Sequence, residues 1–171
     1  MIANDTNLVL IVHNVRSTHN VGSMLRSCDG LGVTKVFMTG YTPYPKQVSD
    51  GRLPYLASKI DSQIHKTALG AETAVNWQLE PDISVLIKQL HGQGYTICAL
   101  EQTPGSIALP DFKPPDKVAL IVGREVEGLE EQVIQAADSC VVIPMLGQKE
   151  SFNVAVAAAI ALYHFRYCQM G

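Results

Sequence analysis

The sequence predicts an α/β fold, a mostly parallel sheet with helices on both faces, and three observations carry that prediction. Five short apolar runs without polar alternation, Leu8 to Val12, Lys35 to Thr39, Tyr95 to Leu100, Lys117 to Val122 and Val141 to Ile143, read as strands buried on both faces. Helical spacing lies between the runs, and no hairpin signal joins two of them. Polar, glycine-bearing segments follow three of the strands, where open α/β sheets bind ligands.

The chain of 171 residues suits one sizeable core, so residues 1–171 are read as a single domain with no appended RNA-binding or other domain. A hydrophobic share of 47% with 17% charged residues describes a compact soluble protein. The longest apolar run, Val154 to Phe165, is too short to span a bilayer, and the N-terminus lacks a secretory pattern. Cys28, Cys98, Cys140 and Cys168 form no CxxC pattern, and the histidines show no metal-ligand spacing, so neither a membrane nor a metal is expected. The cysteines read as small buried hydrophobes in a reducing cytoplasm, where the Asn4–Asp5–Thr6 sequon is idle. A net charge of −3 argues against wholesale electrostatic capture of nucleic acid and leaves room for a local basic patch.

In chain order, the strand Leu8 to Val12 leads into a polar segment whose apolar positions Val21, Met24, Leu25 and Cys28 follow helical spacing. Asn20 is the expected N-cap, and the helix should stop near Gly30–Leu31–Gly32. Gly22 and Arg26 lie one turn apart on it. Two readings stand: Arg26 projects over backbone bared by the glycine, or Gly22 permits close helix–strand packing and Arg26 is a solvated charge.

From Gly40 to Ser58 the chain turns rich in Pro, Gly, Tyr and charge, and a loop of that length inside a compact domain is usually functional. Its tyrosines, interleaved with Lys46, Arg52 and the following Lys59, suit the stacking of unpaired bases and contact with phosphates, and equally suit an ordered lid. Pro81 to Leu90 is an expected helix with a Gly92–Gln93–Gly94 stop. That GxG follows a helix, so it is no dinucleotide fingerprint. Leu129 to Ala137 is another helix. Ser151 stands where an N-cap should be, with Asn153 in the first turn of a helix from Val154 to Phe165 that is apolar on nearly every face. Such a helix is expected to be buried by the rest of the domain or by a partner subunit.

The three polar segments, in this order and spacing, resemble the signature motifs of the SpoU family of S-adenosylmethionine-dependent RNA methyltransferases. The first, N-x-R-x-x-x-N-x-G-x-x-x-R, is met by Asn14, Arg16, Asn20, Gly22 and Arg26. The second, G-x-E-x-x-G-L, is met by Gly123, Glu125, Gly128 and Leu129. The third runs from Ile143–Pro144–Met145 through Gly147 to Ser151–Phe152–Asn153 and the alanine-rich helix. Nearly the whole chain is covered.

The resemblance implies a C-terminal trefoil knot, which pattern reasoning would never propose, together with a homodimer and a cofactor held in the knot. It implies methyl transfer from S-adenosylmethionine to a ribose 2′-hydroxyl of RNA. Without an added RNA-binding domain, a tRNA is the favoured substrate. Arg26 matches the family's catalytic arginine and Asn20 its companion; Glu125, Ser151 and Asn153 match the polar residues that order the site. The cofactor is expected against Leu100, Gly123, Ile143, Met145 and Phe152, and Arg16, Lys46, Arg52 and Arg124 are candidate RNA contacts. The chain departs from the pattern at Arg124, where a small or polar residue is common, at Glu130, where serine is frequent, and at Phe152, which replaces a leucine. The rivals are a catalytically silent RNA-binding dimer, a base-directed RNA methyltransferase, and a nicotinamide-dependent oxidoreductase. The last lacks the glycine fingerprint and its acidic partner.

Overall fold

The computed structural model describes residues 6–168, so Asn4 and Asp5 of the sequon lie outside it. Seven strands form one sheet: β1 (Asn7–His13), β2 (Lys35–Thr39), β3 (Trp77–Leu79), β4 (Thr96–Leu100), β5 (Ile107–Ala108), β6 (Lys117–Val122) and β7 (Ser139–Val142). Their order across the sheet is β3-β2-β1-β6-β4-β7-β5, and all neighbours run parallel. The helices are α1 (Thr18–Gly30), α2 (Pro54–Ala68), α3 (Ala71–Ala74), α4 (Ile83–Gly92), α5 (Glu131–Ala136) and α6 (Val154–Tyr167). None of the described helices is long and apolar enough to cross a membrane.

The continuous apolar runs serve two cores at once. Leu8, Leu10 and Val12 of β1 and Val118, Leu120 and Val122 of β6 face a core shared with α1, α2 and α6. The alternate residues Val9, Ile11, Ala119 and Ile121 face a second core closed by α4 and α5. That two-sided burial is why these strands lack polar alternation.

The structure adds β3 and β5 to the five expected strands; at three and two residues, both are too short to carry a period. It also moves several boundaries. The last expected strand, Val141 to Ile143, runs instead from Ser139 to Val142. The fourth helix starts at Ile83 because Asp82 caps it through the amides of Ser84 and Val85. The helix after β6 begins at Glu131 rather than Leu129, whose amide donates to Glu101 Oε2 at 2.8 Å. The N-cap of α1 is Ser17, not Asn20: Ser17 Oγ accepts the Asn20 amide at 3.3 Å, which frees the asparagine side chain. The N-cap of α6 is Asn153, not Ser151. The polar loop after β2 ends at Leu53, since Pro54 at the first turn opens α2.

Gly22 is buried against α2. A Cβ there would overlap Thr67 Oγ1 and the Ile64 carbonyl oxygen, so the glycine permits a close contact, with a helix rather than the expected strand. Because the obstacle is partly backbone, Gly22→Ala is expected to lower unfolding stability by about 1–3 kcal/mol, read as a fall in the denaturant midpoint at constant slope. A midpoint unmoved by the added methyl would mean that α1 and α2 can separate freely.

Candidate active site

The carboxyl ends of three adjacent strands, β6, β4 and β7, open onto one cavity of about 270 Å³. Leu100, Val141, Ile143, Phe152 and Val154 supply its apolar walls, and Gly123 to Gly128 form one side. Four of the expected cofactor residues, Leu100, Gly123, Ile143 and Phe152, line it, whereas Met145 does not. Gly123 leaves no room for a side chain, because a Cβ would meet Leu129 and the Gly128 backbone at 2.8 to 2.9 Å. Gly128 has φ +68, and its Cα faces the Glu101 carboxylate. Glu101 is a lining residue that sequence reasoning missed. Its only signal is a carboxylate directly after a buried strand, and the register that pairs β4 with β6 is what carries it to Gly128.

Beside the cavity, the three motifs are joined by a chain of polar contacts. Asn153 Nδ2 donates to Asn20 Oδ1 at 3.2 Å, and Asn20 Nδ2 donates to Glu125 Oε1 at 3.0 Å. The Glu125 carboxylate also accepts the amides of Ser17 at 3.1 Å and Arg16 at 3.4 Å, so it sits at the positive end of α1. Burial works to raise its pKa, but the Asn20 side chain and the main-chain amides of Glu125, Ser17 and Arg16 outweigh it and hold the carboxyl below its ordinary value. Asn153 Oδ1 meanwhile accepts the amides of Ala155 and Val156, closing the first turn of α6. One asparagine therefore both caps the buried helix and reaches motif one. Ser151 lines the cavity, although it caps nothing.

Arg26 is not in this cluster. It lies on the exposed surface of α1, makes no hydrogen bond or ion pair among the described residues, and is absent from the cavity wall. Ser23, one turn before it, and the adjacent Ser27 flank a groove completed by Asn153 and by Val156, Ala159, Ile160 and Tyr163 of α6.

The four candidate RNA-binding residues divide. The Arg16 side chain is two-thirds exposed, near Glu127 at 3.4 Å and with its guanidinium carbon 5.9 Å from the centre of the Tyr41 ring. Lys46 is exposed, and its Nζ donates to Ser58 Oγ at 3.2 Å. Arg52 is turned inward: its guanidinium lies 3.7 Å from the centre of the Tyr44 ring, bonds Asp50, and donates to the carbonyls of Tyr44 and Pro45. Its donors hold the loop together, which leaves few for a phosphate. Arg124 lines the cavity, and its Nε donates to Gly128 O at 3.1 Å.

Among the described residues, no group of three or more His, Cys, Asp or Glu side chains is placed to hold a metal ion. The cavity wall does suit a cationic nucleoside. Its apolar faces can flank a base, while Glu101, Glu125, Glu127 and Glu150 outnumber the single cation Arg124 and favour the positive sulfonium and ammonium groups of S-adenosylmethionine.

An all-parallel sheet with a cavity at its carboxyl edge and a polar relay beside it defines an α/β enzyme that binds a nucleotide-like cofactor. The comparisons with known proteins give the particular kind. The model of the SpoU rRNA Methylase family matches residues 7–163, and the chain belongs to that family. It is 29% identical over 158 residues to a tRNA (guanosine(18)-2′-O)-methyltransferase of Thermus thermophilus, covering 91% of this chain and 72% of that protein. It is 32% identical to the 23S rRNA (guanosine-2′-O-)-methyltransferase RlmB of Xylella fastidiosa, of whose length it spans 57%. Among solved structures, an AdoMet-bound rRNA methyltransferase from Sinorhizobium meliloti superposes with a TM-score of 0.80 at 20% identity, covering 96% of this chain and 57% of that one. A structure described as giving insights into 2-OH methylation of C/U34 on tRNA superposes with a TM-score of 0.75 at 21% identity, covering 95% of both chains.

Proposed function

We propose that this chain transfers a methyl group from S-adenosylmethionine to a ribose 2′-hydroxyl of tRNA, working as a knotted homodimer. The observation that carries this is the relay Asn153–Asn20–Glu125, which joins all three motifs at the mouth of the cavity. Relatives named for guanosine 2′-O-methylation of tRNA and of 23S rRNA support ribose over base. The tRNA reading is supported by the relative of which the chain covers 72%, named for tRNA, and by the superposed structure described as giving insights into 2-OH methylation of C/U34 on tRNA.

The cofactor supplies an electrophilic methyl on a sulfonium, and the chain's own residues do the rest. Leu100, Ile143 and Phe152 would wall the cofactor's base, and Gly123 would let the backbone approach it. A hydroxyl is a weak nucleophile, so it must be held in line and its growing charge stabilised. Guanidinium stays charged in proteins, so Arg26 is not a base; it stabilises the developing alkoxide or clamps the neighbouring phosphate, and the proton leaves to phosphate or water. Glu125 stays ionised and fixes Asn20, and Asn20 fixes Asn153. Arg16 and Lys46 meet the RNA backbone.

The dimer is supported by α6. Ala155, Ala158, Ala161, Leu162 and Phe165 are buried within the chain, but Val156 is 48% and Tyr163 52% exposed beside Ile160. A helix apolar all round and covered on one side only fits a second copy on the other. The knot is a family expectation supported by the three loops after β4, β6 and β7 converging on one cavity, and a chain pulled from both ends should retain it as a shortfall in extended length. The four cysteines are free thiols, which suits the cytoplasmic location we propose.

Calorimetric titration with S-adenosylmethionine and with its demethylated product tests the reading. Saturable binding near one site per chain is expected, followed by labelled methyl transfer to tRNA recovered as a 2′-O-methyl nucleoside. No binding of either ligand would favour the silent RNA-binding dimer, and label on a base would overturn the ribose assignment.

A further inference from the structure

β1 ends on a buried histidine, and the residues around it are where motif one, motif two and the loop after β2 meet. His13 is 6% exposed. Its Nδ1 lies 2.8 Å from Thr39 Oγ1 and its Nε2 lies 3.1 Å from Glu130 Oε2. Asn14 adopts φ +55, a left-handed conformation that asparagine takes more readily than most residues and that its contacts hold in place. Its Nδ2 donates to Glu130 Oε1 at 3.0 Å, and its Oδ1 accepts the Tyr41 amide at 3.1 Å, the first turn of the polar loop. Arg124 reaches the same Glu130 Oε1 at 3.5 Å.

Three polar groups bracket the ring. Thr39 Oγ1, which also lies 3.5 Å from Val12 O, faces Nδ1, whereas Nε2 faces both Asn14 Nδ2 at 3.0 Å and Glu130 Oε2. That oxygen is buried and has no hydrogen bond among the described residues, so the polar edge of the ring is what it meets. Burial, the largest influence, lowers the His13 pKa and outweighs the raising effect of Glu130, while Arg124 lowers it further. The groups facing the ring are thus Glu130 before α5, Arg124 after β6 and the neutral Thr39 and Asn14.

We propose that Glu130 is a positioning residue for methyl transfer: its carboxylate fastens Asn14, at the head of motif one, to Arg124, inside motif two, and the buried His13 ring, 3.1 Å away, orients it. The proposal rests on the RNA methyltransferase reading. Glu130 stands where the family frequently has serine, and Arg124 where a small or polar residue is common, so this chain carries both halves of the pair together. Without the carboxylate, Asn14 Nδ2 is left with His13 Nε2 at 3.0 Å, and Arg124 with Gly128 O, among the described residues, so both motifs loosen on the side that meets RNA. The adenine grip, formed by other residues, stays.

The test is Glu130→Gln in the full chain. Its kcat/KM for tRNA is expected to fall about tenfold or more, because small misplacements of reacting groups are costly, while the Kd for S-adenosylmethionine stays within about twofold. Nitrogen-15 NMR of labelled histidine should show a ring that titrates at lower pH in Glu130→Gln than in the wild type, since the carboxylate that raised it is gone. Methyl transfer in Glu130→Gln within about twofold of wild type would overturn the proposal, as would a His13 titration that the substitution leaves unmoved. A wild type inactive on every RNA would overturn the substrate reading instead, and the two are told apart because the His13 titration is read on the protein alone.

Discussion

Arg26→Ala is expected to slow single-turnover methyl transfer by about 10²–10³-fold, the cost of removing one donor aimed at developing oxyanion charge. Cofactor affinity should stay within about twofold, because Arg26 is exposed on α1, makes no hydrogen bond or ion pair among the described residues and does not line the cavity. The same isolation predicts that the fold is indifferent to the change, since an exposed side chain without partners contributes little to stability. Arg26→Lys should recover only a fraction of the rate: ammonium keeps the charge but lacks the planar fork that addresses two oxygens together. The measurements are rapid-quench transfer of labelled methyl to tRNA and calorimetry with S-adenosylmethionine. A large loss of cofactor binding in Arg26→Ala would contradict a role on the nucleophile and place the guanidinium at the cofactor.

The central sheet was legible because two-sided burial writes itself as uninterrupted apolar residues. In β1 and β6 alternate side chains feed different cores, so neither face tolerates polarity. The edges were not legible: Trp77–Leu79 and Ile107–Ala108 are strands only because β2 and β7 offer them unpaired backbone groups. The second helix was lost inside a proline- and tyrosine-rich stretch, although Pro54 at its first turn was a start signal. At the site, the motif spacing located Asn20, Glu125 and Asn153 but misjudged which residues cap. Ser17 and Asn153 do so, and the choice matters because a capping Asn20 could not have reached Glu125. Arg52 shows the opposite limit. Its composition reads as a nucleic-acid contact, yet the fold occupies its donors with Asp50 and two carbonyls, a commitment made by tertiary placement.

Two acidic substitutions on α6, two residues apart, are expected to fail in different ways. Ala158 has no exposed surface and is part of the core shared with β1 and β6, so Ala158→Asp buries an unpaired carboxylate inside the chain. That should cost several kcal/mol, a large share of the roughly 5–15 kcal/mol that holds a domain folded, and give an insoluble or unfolded protein. Ile160 instead borders the groove with Val156 and Tyr163, on the side that the chain leaves uncovered. In an isolated chain, Ile160→Asp would give up the part of that half-buried side chain that packs on the core and gain a solvated charge. In the proposed homodimer it would place two carboxylates related by symmetry in a water-excluded seam, where desolvation and like-charge repulsion add. Ile160→Asp should therefore retain its far-ultraviolet circular dichroism and scatter light as a single chain, with methyl transfer falling in step with dissociation. A dimer unchanged by Ile160→Asp would reject α6 as the interface, and a wild type that scatters as a single chain would reject the homodimer itself. The pair separates what the apolar composition of α6 cannot: one face belongs to the chain's own core, and the other is the face that the proposed second copy would cover.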